Sequence, residues 1–190
     1  MKLGIFGGSF NPIHLGHLLM AQTAMEELGL NRLFFVPAAQ SPFKTEAKPA
    51  PDAVRLQLLR LALAGKTDCE VDDQEVHRGG ISYTVDTLRS YANKFPNARL
   101  FYLIGADNVP KLPEWHEPAE LAQLAEFVAM PRPGSAAIIF PTPFRGRTLR
   151  GCPTAISSSE IRARVRANLS IANLVPPAVV EAVRNASLYV

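Results

Sequence analysis

Residues 2–18 read KLGIFGGSFNPIHLGHL. Lys2 to Phe6 is a short apolar run that ends at Gly7 and Gly8, as a buried strand would. From Gly16 onward Leu18, Ala21, Met25 and Leu28 recur at helical spacing, and Gly29 follows as a stop. A strand therefore passes through a glycine-bearing turn directly into a helix. Glycines in such a turn let a phosphate approach the backbone, and the helix start offers free N–H groups and the positive end of its dipole. His14 and His17 stand three residues apart, so on or beside the first helical turn they share a face. Gly16 between them leaves a gap for a ligand oxygen. Two imidazole donors aimed at one point suit a group whose negative charge grows during a reaction.

The pattern continues along the chain. Leu33 to Val36 reads as a second strand broken by Pro37, and Ala38 to Pro51 as a loop rich in Pro, Lys and Ser. Asp52 can cap a helix running to about Ala64, with Val54, Leu58 and Leu61 on one face and Gly65 as its C-cap. Cys69 to Arg78 reads as extended, and Ser82 can cap a helix over Thr84 to Lys94. Leu100 to Ile104 is a third apolar strand closed by Gly105. Pro113 to Leu124 reads as a loop and then a helix, and Phe127 to Met130 as a strand closed by Pro131. Two helical stretches follow, near Ser158 to Asn168 and Pro176 to Asn185; residues 134–156 carry no legible pattern. Strands alternating with helices predict an α/β fold, a Rossmann-like and mainly parallel sheet flanked by helices. The expected domain spans residues 1–190, with a small C-terminal helical portion at about 157–190 packed on it. Ligands in such sheets sit at the carboxyl ends of strands, so the loops after Phe6, Val36 and Ile104 are the places to search.

Composition suits one domain with a small helical appendage. A chain of 190 residues, 47% hydrophobic, can bury roughly 70% of the surface it exposes when unfolded, with no need of disulfide or metal. Cys69 and Cys152 are far apart and fit a reducing cytoplasm better than secretion. The first residues are interrupted by glycine too early for a signal peptide, and no apolar run reaches the ~20 residues of a membrane span. The net charge of +3 suits a small anionic ligand or an ordinary surface equally, and no dense basic block points to nucleic acid.

Three further segments carry polar groups at strand or helix ends. In ISSSEIR at 156–162, Ser157 and Glu160 fit a capping box. Three hydroxyls with Arg162 one turn on make an anion site, and Ile161, Val165 and Leu169 make a buried stripe; the bland alternative is a capped helix with solvated arginines. Asp107, in IGAD at 104–107, either accepts from ribose hydroxyls or caps the next helix. Trp115, the only tryptophan, lies in a Pro- and His-bearing loop, where it can stack on a planar ring or join the core. The helix start at Ser82, Tyr83 and Thr84 can receive another anion. Two other motifs fail. Gly65-Lys66-Thr67 imitates the end of a P-loop, but the earlier glycine position holds Arg60 inside a helix, and Gly4, Gly7 and Gly8 do not make G-x-G-x-x-G. His14 and His17 could bind a metal, but no third ligand lies nearby in sequence.

Taken together, these segments resemble the bacterial nicotinate mononucleotide adenylyltransferase family, within the H-x-G-H nucleotidyltransferase superfamily. The resemblance runs through GGSFNPIHLGHL at 7–18, SPFK at 41–44, SYTVDTL at 82–88, IGADNVPKLPEW at 104–115, MPRPG at 130–134 and ISSSEIR at 156–162. The chain departs from the family's pattern at Phe43, where the family usually has His before the lysine, and in a short stretch after MPRPG. The resemblance implies transfer of AMP from ATP to nicotinate mononucleotide, giving deamido-NAD and pyrophosphate, with Mg²⁺ carried by ATP and no dedicated protein metal site. It implies that His14, His17 and Arg162 are catalytic. It places Gly7, Gly8, Ser9, Phe10, Gly105, Asp107, Ser157 and Ser158 with them around ATP, Asp107 at the ribose. It places Ser9, Lys44, Ser82, Tyr83, Thr84 and Trp115 around the acceptor, with Lys44 at its phosphate, Trp115 on its ring and Thr84 at its carboxylate. The expected partners are these two nucleotides, with neither nucleic acid nor membrane, in a cytoplasmic protein for which a homo-oligomer stays open. The rivals are another H-x-G-H enzyme, such as a pantetheine-phosphate adenylyltransferase or a cytidylyltransferase, and a non-catalytic nucleotide-binding regulator. Neither rival enzyme is expected to combine the SYT and Trp-loop segments.

Overall fold

The computed structural model describes residues 1–43, 49–134, 137–151 and 153–190. Its strands are β1 (Lys2–Gly8), β2 (Arg32–Pro37), β3 (Cys69–Val71), β4 (Arg99–Gly105), β5 (Glu126–Met130) and β6 (Gly146–Thr148). Its α-helices are α1 (Leu15–Leu28), α2 (Asp52–Leu63), α3 (Gln74–Arg78), α4 (Thr84–Lys94), α5 (Pro118–Leu124), α6 (Ser158–Arg166) and α7 (Pro177–Asn185). The strands form one sheet in the order β3–β2–β1–β4–β5–β6, and every pairing is parallel. The α/β, Rossmann-like expectation is met. The chain builds outward from β1 to β3, then returns to the other side of β1 with β4. The carboxyl ends of β1 and β4 therefore form the switch point where such sheets bind ligands.

Alternate residues of the central strands feed two apolar layers, as the two-residue period of a strand requires. Phe6, Leu33, Phe35, Phe101 and Leu103 face a layer with α1, α2, α6 and α7, supplied by Ala24, Leu58, Ile161 and Val179 among others. Leu3, Ile5, Phe34, Val36 and Tyr102 face the second layer with Val85, Leu88, Leu112 and Leu121. Gly29 ends α1 in the left-handed region at φ 60°. Gly65, at φ 79°, lies one residue beyond Ala64, the residue that caps α2.

Several local expectations need correction. The extended reading of Cys69 to Arg78 holds only for Cys69–Val71. Beyond it Asp72 takes the Gln74 N–H at 3.1 Å and its side-chain amide at 2.7 Å, which turns the chain into α3. Asp52 does not cap α2; Pro51 does, and Asp52 turns its carboxylate to Arg55 one turn on. Ser82 does not cap α4. Tyr83 holds that position, and Ser82 Oγ accepts from the Ala39 N–H at 2.9 Å. The loop expected from Pro113 starts only at Trp115, because a 3₁₀ helix, Ala106–Glu114, runs into it from the end of β4. Leu169 is 53% exposed and leaves the stripe of Ile161 and Val165, because α6 ends at Arg166. The illegible stretch contains β6, whose three exposed residues carry no apolar pattern to read.

Gly7 has a specific steric cause. A methyl group there would lie 2.0 Å from Tyr102 Oη and 2.9 Å from its Cζ. Overpacking of this kind costs about 1–3 kcal/mol, so Gly7→Ala is expected to lower unfolding free energy by that much in urea denaturation. Adding Tyr102→Phe, which removes the nearest atom, should recover part of it. An alanine variant as stable as the wild type would clear Tyr102 of responsibility.

Candidate active site

The turn from β1 to α1 presents the two histidines. His14 is the N-cap of α1, in extended conformation (φ −147°, ψ 170°), and is 5% exposed. Its N–H donates to His17 Nδ1 at 3.2 Å, and the His17 N–H donates to the His14 carbonyl at 3.0 Å. The rings stack with centroids 3.6 Å apart and planes 23° from parallel. Because His17 Nδ1 accepts a backbone proton, the neutral ring carries its own proton on Nε2. Gly16 gives the stack room: a methyl group there would lie 3.0 Å from His14 Nδ1 and 3.0 Å from the Thr154 methyl, a tight contact on both sides. The gap expected for a ligand oxygen beside Gly16 is thus taken largely by the His14 ring. Phe10, at φ 43° and 2% exposed, folds its ring into the core against Phe6 and His17.

Burial, reinforced by the positive charge of Arg132, lowers the His14 pKa to about 4. His14 is therefore neutral at physiological pH, as a hydrogen-bond donor to a phosphate must be if it is not to form a fixed ion pair.

The start of α6 closes over the same turn. Ser157 Oγ caps it by accepting from the Glu160 N–H at 3.2 Å. Ser158 Oγ donates to the Pro12 carbonyl at 2.9 Å, and Arg162 Nη1 to the Asn11 carbonyl at 2.8 Å. The capped-helix reading holds at Ser157, and Ser157, Ser158 and Arg162 also line a cavity of 970 Å³ with His14 and His17. Gly105 and Asp107 border it from the end of β4. Arg132, to which the sequence reading gave no role although it lies in MPRPG, donates from Nε to Asp107 at 2.8 Å and lines the cavity as well.

A smaller cavity of 340 Å³ adjoins it, with Gly7, Gly8 and Ser9 in the walls of both. Ser82, Tyr83, Thr84 and Trp115 line it, so the expected acceptor group is brought together. Lys44 lies outside the described residues. Trp115 sits beside Phe43, with centroids 5.9 Å apart, and meets Tyr102 edge-on at 6.2 Å. Thr84 Oγ1 and Tyr102 Oη are 3.3 Å apart. The N-cap of α4 supplies no side-chain hydrogen bond, so the helix start faces this cavity uncapped.

Three more residues of the site, besides Arg132, were not found by sequence reasoning. Glu75 is 4% exposed in the smaller cavity. Burial raises its pKa, against hydrogen bonds from Thr87 and Ser82. Tyr102 lay hidden in an apolar strand. Arg55 is wholly buried and donates to the carbonyls of Ser9 (2.8 Å), Ala38 (2.6 Å) and Ala50 (3.2 Å). Its only signal was a charge between the apolar positions of α2.

A parallel sheet whose switch point carries a stacked histidine pair, a serine-arginine helix start and a second adjoining cavity defines a nucleotidyltransferase. A family model described as cytidylyltransferase-like matches residues 5–164. A protein of Opitutus terrae named as a probable nicotinate-nucleotide adenylyltransferase is 41% identical over 100% of this chain and 98% of its own. One of the same name from Methylacidiphilum infernorum is 38% identical over 100% of this chain and 92% of its own. The chain belongs to the nicotinate-nucleotide adenylyltransferase family. The fold is shared with a solved structure of Plasmodium falciparum nicotinic acid mononucleotide adenylyltransferase complexed with APC. That likeness has a TM-score of 0.81 at 19% identity, covering 99% of this chain and 96% of that one.

The depressed His14 pKa has a thermodynamic consequence. The unfolded chain takes up a proton on this residue near pH 6.5, whereas the native state resists until about pH 4. The neutral imidazole's contribution is complete above 6.5 and is lost as pH falls through that window, by at most about 1.4 kcal/mol per pH unit. His14→Gln should flatten the fall in unfolding free energy between pH 6.5 and 4, relative to wild type, in denaturant titrations. Parallel curves for the two proteins would contradict the burial argument.

Proposed function

We propose that this protein transfers AMP from ATP to nicotinate mononucleotide, releasing pyrophosphate and deamido-NAD. The observation that carries the reading is the pair of adjoining cavities with Gly7, Gly8 and Ser9 in both walls. The larger takes the triphosphate, with the histidines and α6 around it; the smaller takes the pyridine ring, with Trp115 and the start of α4. The acceptor phosphate, with a second pKa near ~6, is already largely dianionic at neutral pH. It therefore needs no general base. An acceptor oxygen forms a bond to the α-phosphorus, the bond from that phosphorus to the bridging oxygen breaks, and the electron pair leaves with pyrophosphate. No covalent enzyme intermediate forms.

The side chains bind and align. His17, through Nε2–H, and neutral His14 donate to triphosphate oxygens, and Arg162 adds positive charge where the leaving group becomes more negative. Asp107 holds the ATP ribose once Arg132 turns from it toward phosphate. Mg²⁺ enters with ATP as part of the substrate. Its ligands are then the triphosphate oxygens and water. A pyrophosphate-release assay with MgATP against a panel of phosphorylated acceptors tests the reaction. Turnover with phosphopantetheine or a cytidylyl donor, and none with nicotinate mononucleotide, would move the protein to another branch of the superfamily. Tight ATP binding with no turnover on any acceptor would make it a regulator.

His17→Ala should depress kcat by roughly 10²–10³, with less effect on acceptor KM, because its hydrogen bond strengthens as charge develops. Stopped or continuous pyrophosphate assays give both constants, and near-normal kcat would remove His17 from the mechanism.

Acceptor choice follows from the uncapped start of α4. Its free N–H groups and positive dipole end favour a carboxylate, whereas an amide brings NH₂ donors against N–H donors. Trp115 stacks on either ring alike. The expected result is a strong preference for nicotinate over nicotinamide mononucleotide in kcat/KM. Trp115→Ala should weaken both and keep their ratio. Equal use of both by the wild type would sink the carboxylate argument, and a ratio that collapses in the variant would transfer the discrimination to the Trp loop.

A further inference from the structure

Among the described residues, the buried side-chain polar atoms without a hydrogen-bond partner are His14 Nδ1, Trp115 Nε1 and Tyr189 Oη. Each belongs to a residue lining one of the two cavities. Buried polar atoms are nearly always satisfied, so orphans gathered at a binding cavity point to partners that arrive with a ligand. His14 and Trp115 already have roles in the reaction proposed above; Tyr189 has none.

Tyr189 follows α7 with φ 68°, a left-handed conformation that a bulky residue adopts only when its surroundings enforce it. The surroundings are local: the Leu188 N–H donates to the Val183 carbonyl at 3.0 Å, and the ring packs on the layer containing Leu58, Ile161 and Val179. This holds the side chain at the wall of the larger cavity, within the electrostatic reach of Arg162 and Arg55. Burial pushes its pKa up to about 12, against the pull of those two positive charges, so the hydroxyl keeps its proton. A guanidinium has donors only and cannot accept that proton. Both guanidiniums also have backbone carbonyls as fixed partners: Asn11 for Arg162, and Ser9, Ala38 and Ala50 for Arg55. A donor hydroxyl with two positive charges beside it calls for an anionic oxygen.

We propose that Tyr189 is a further substrate-binding residue, its hydroxyl donating to a phosphate oxygen brought into the larger cavity beside Arg55 and Arg162. The inference rests on that cavity being the phosphate site of the adenylyl-transfer reaction. The phosphate belongs either to ATP or to the mononucleotide acceptor, and the two can be separated.

Tyr189→Phe removes one oxygen and keeps the ring's packing. Calorimetric titration of wild type and variant with α,β-methylene ATP, and separately with nicotinate mononucleotide, reads the effect. A hydrogen bond to a charged oxygen lost at a buried donor should weaken binding roughly 10- to 100-fold. A loss confined to one ligand assigns the phosphate to it, and a loss with both places the hydroxyl between them. Leu188→Ala is the packing control; it should lower Tm and leave both affinities unchanged. If Tyr189→Phe also lowers Tm, its affinities are compared with those of Leu188→Ala at a temperature where both are folded. Unchanged affinity of Tyr189→Phe for both ligands overturns the proposal. A wild type that binds neither ligand overturns the adenylyl-transfer reading instead.

Discussion

Side chains from two helices grip the carbonyls of the turn between β1 and α1. Arg55 of α2 takes Ser9, while Arg162 and Ser158 of α6 take Asn11 and Pro12. A turn that has left the sheet ladder and not yet entered a helix has carbonyls with no regular partner, and leaving one buried and unpaired costs about 1–3 kcal/mol. These contacts therefore join segments some 46 to 151 residues apart in the chain. The same groups line the larger cavity. Their positive charge is fixed before any anion arrives, which is the condition under which electrostatic stabilisation needs no reorganisation during reaction. Folding the site and charging it are one event.

The histidine pair obeys the same logic from the opposite direction. His14 is kept neutral by burial and by Arg132, and His17 is oriented by the backbone N–H it accepts. Both rings thus border the cavity in fixed orientations, and at His14 the formal charge is left to the arginines. Gly16 and Gly7 serve this arrangement by omission. At Gly16 the absent methyl admits the His14 ring, and at Gly7 it admits the Tyr102 phenol.

Periodicity exposed the central sheet because β1, β2, β4 and β5 are buried on both faces and read as apolar runs. It failed at the sheet's edge, where β6 is wholly exposed, and at α3, which is too short to show a helical period and is started by the side chain of Asp72. Capping was misassigned at Asp52 and Ser82 because each polar side chain found a tertiary partner, Arg55 and the Ala39 N–H. The histidines, Ser158 and Arg162 were legible since strand-to-helix turns and helix starts can be located from local pattern alone. Arg55, Glu75 and Tyr102 were not. Each is a polar group buried by contacts across the fold, and no local spacing announces such a residue.

Trp115 is the only tryptophan in the chain, and it lines the smaller cavity with its indole N–H buried and unpaired among the described residues. All indole emission from this protein therefore originates at one wall of one cavity. A ring stacking on that wall changes the polarity around the fluorophore directly, whereas a nucleotide in the larger cavity reaches it only through the shared wall at Phe43. The molecule thus carries an optical reporter for one of its two compartments, and the order in which they fill can be followed by light without any label.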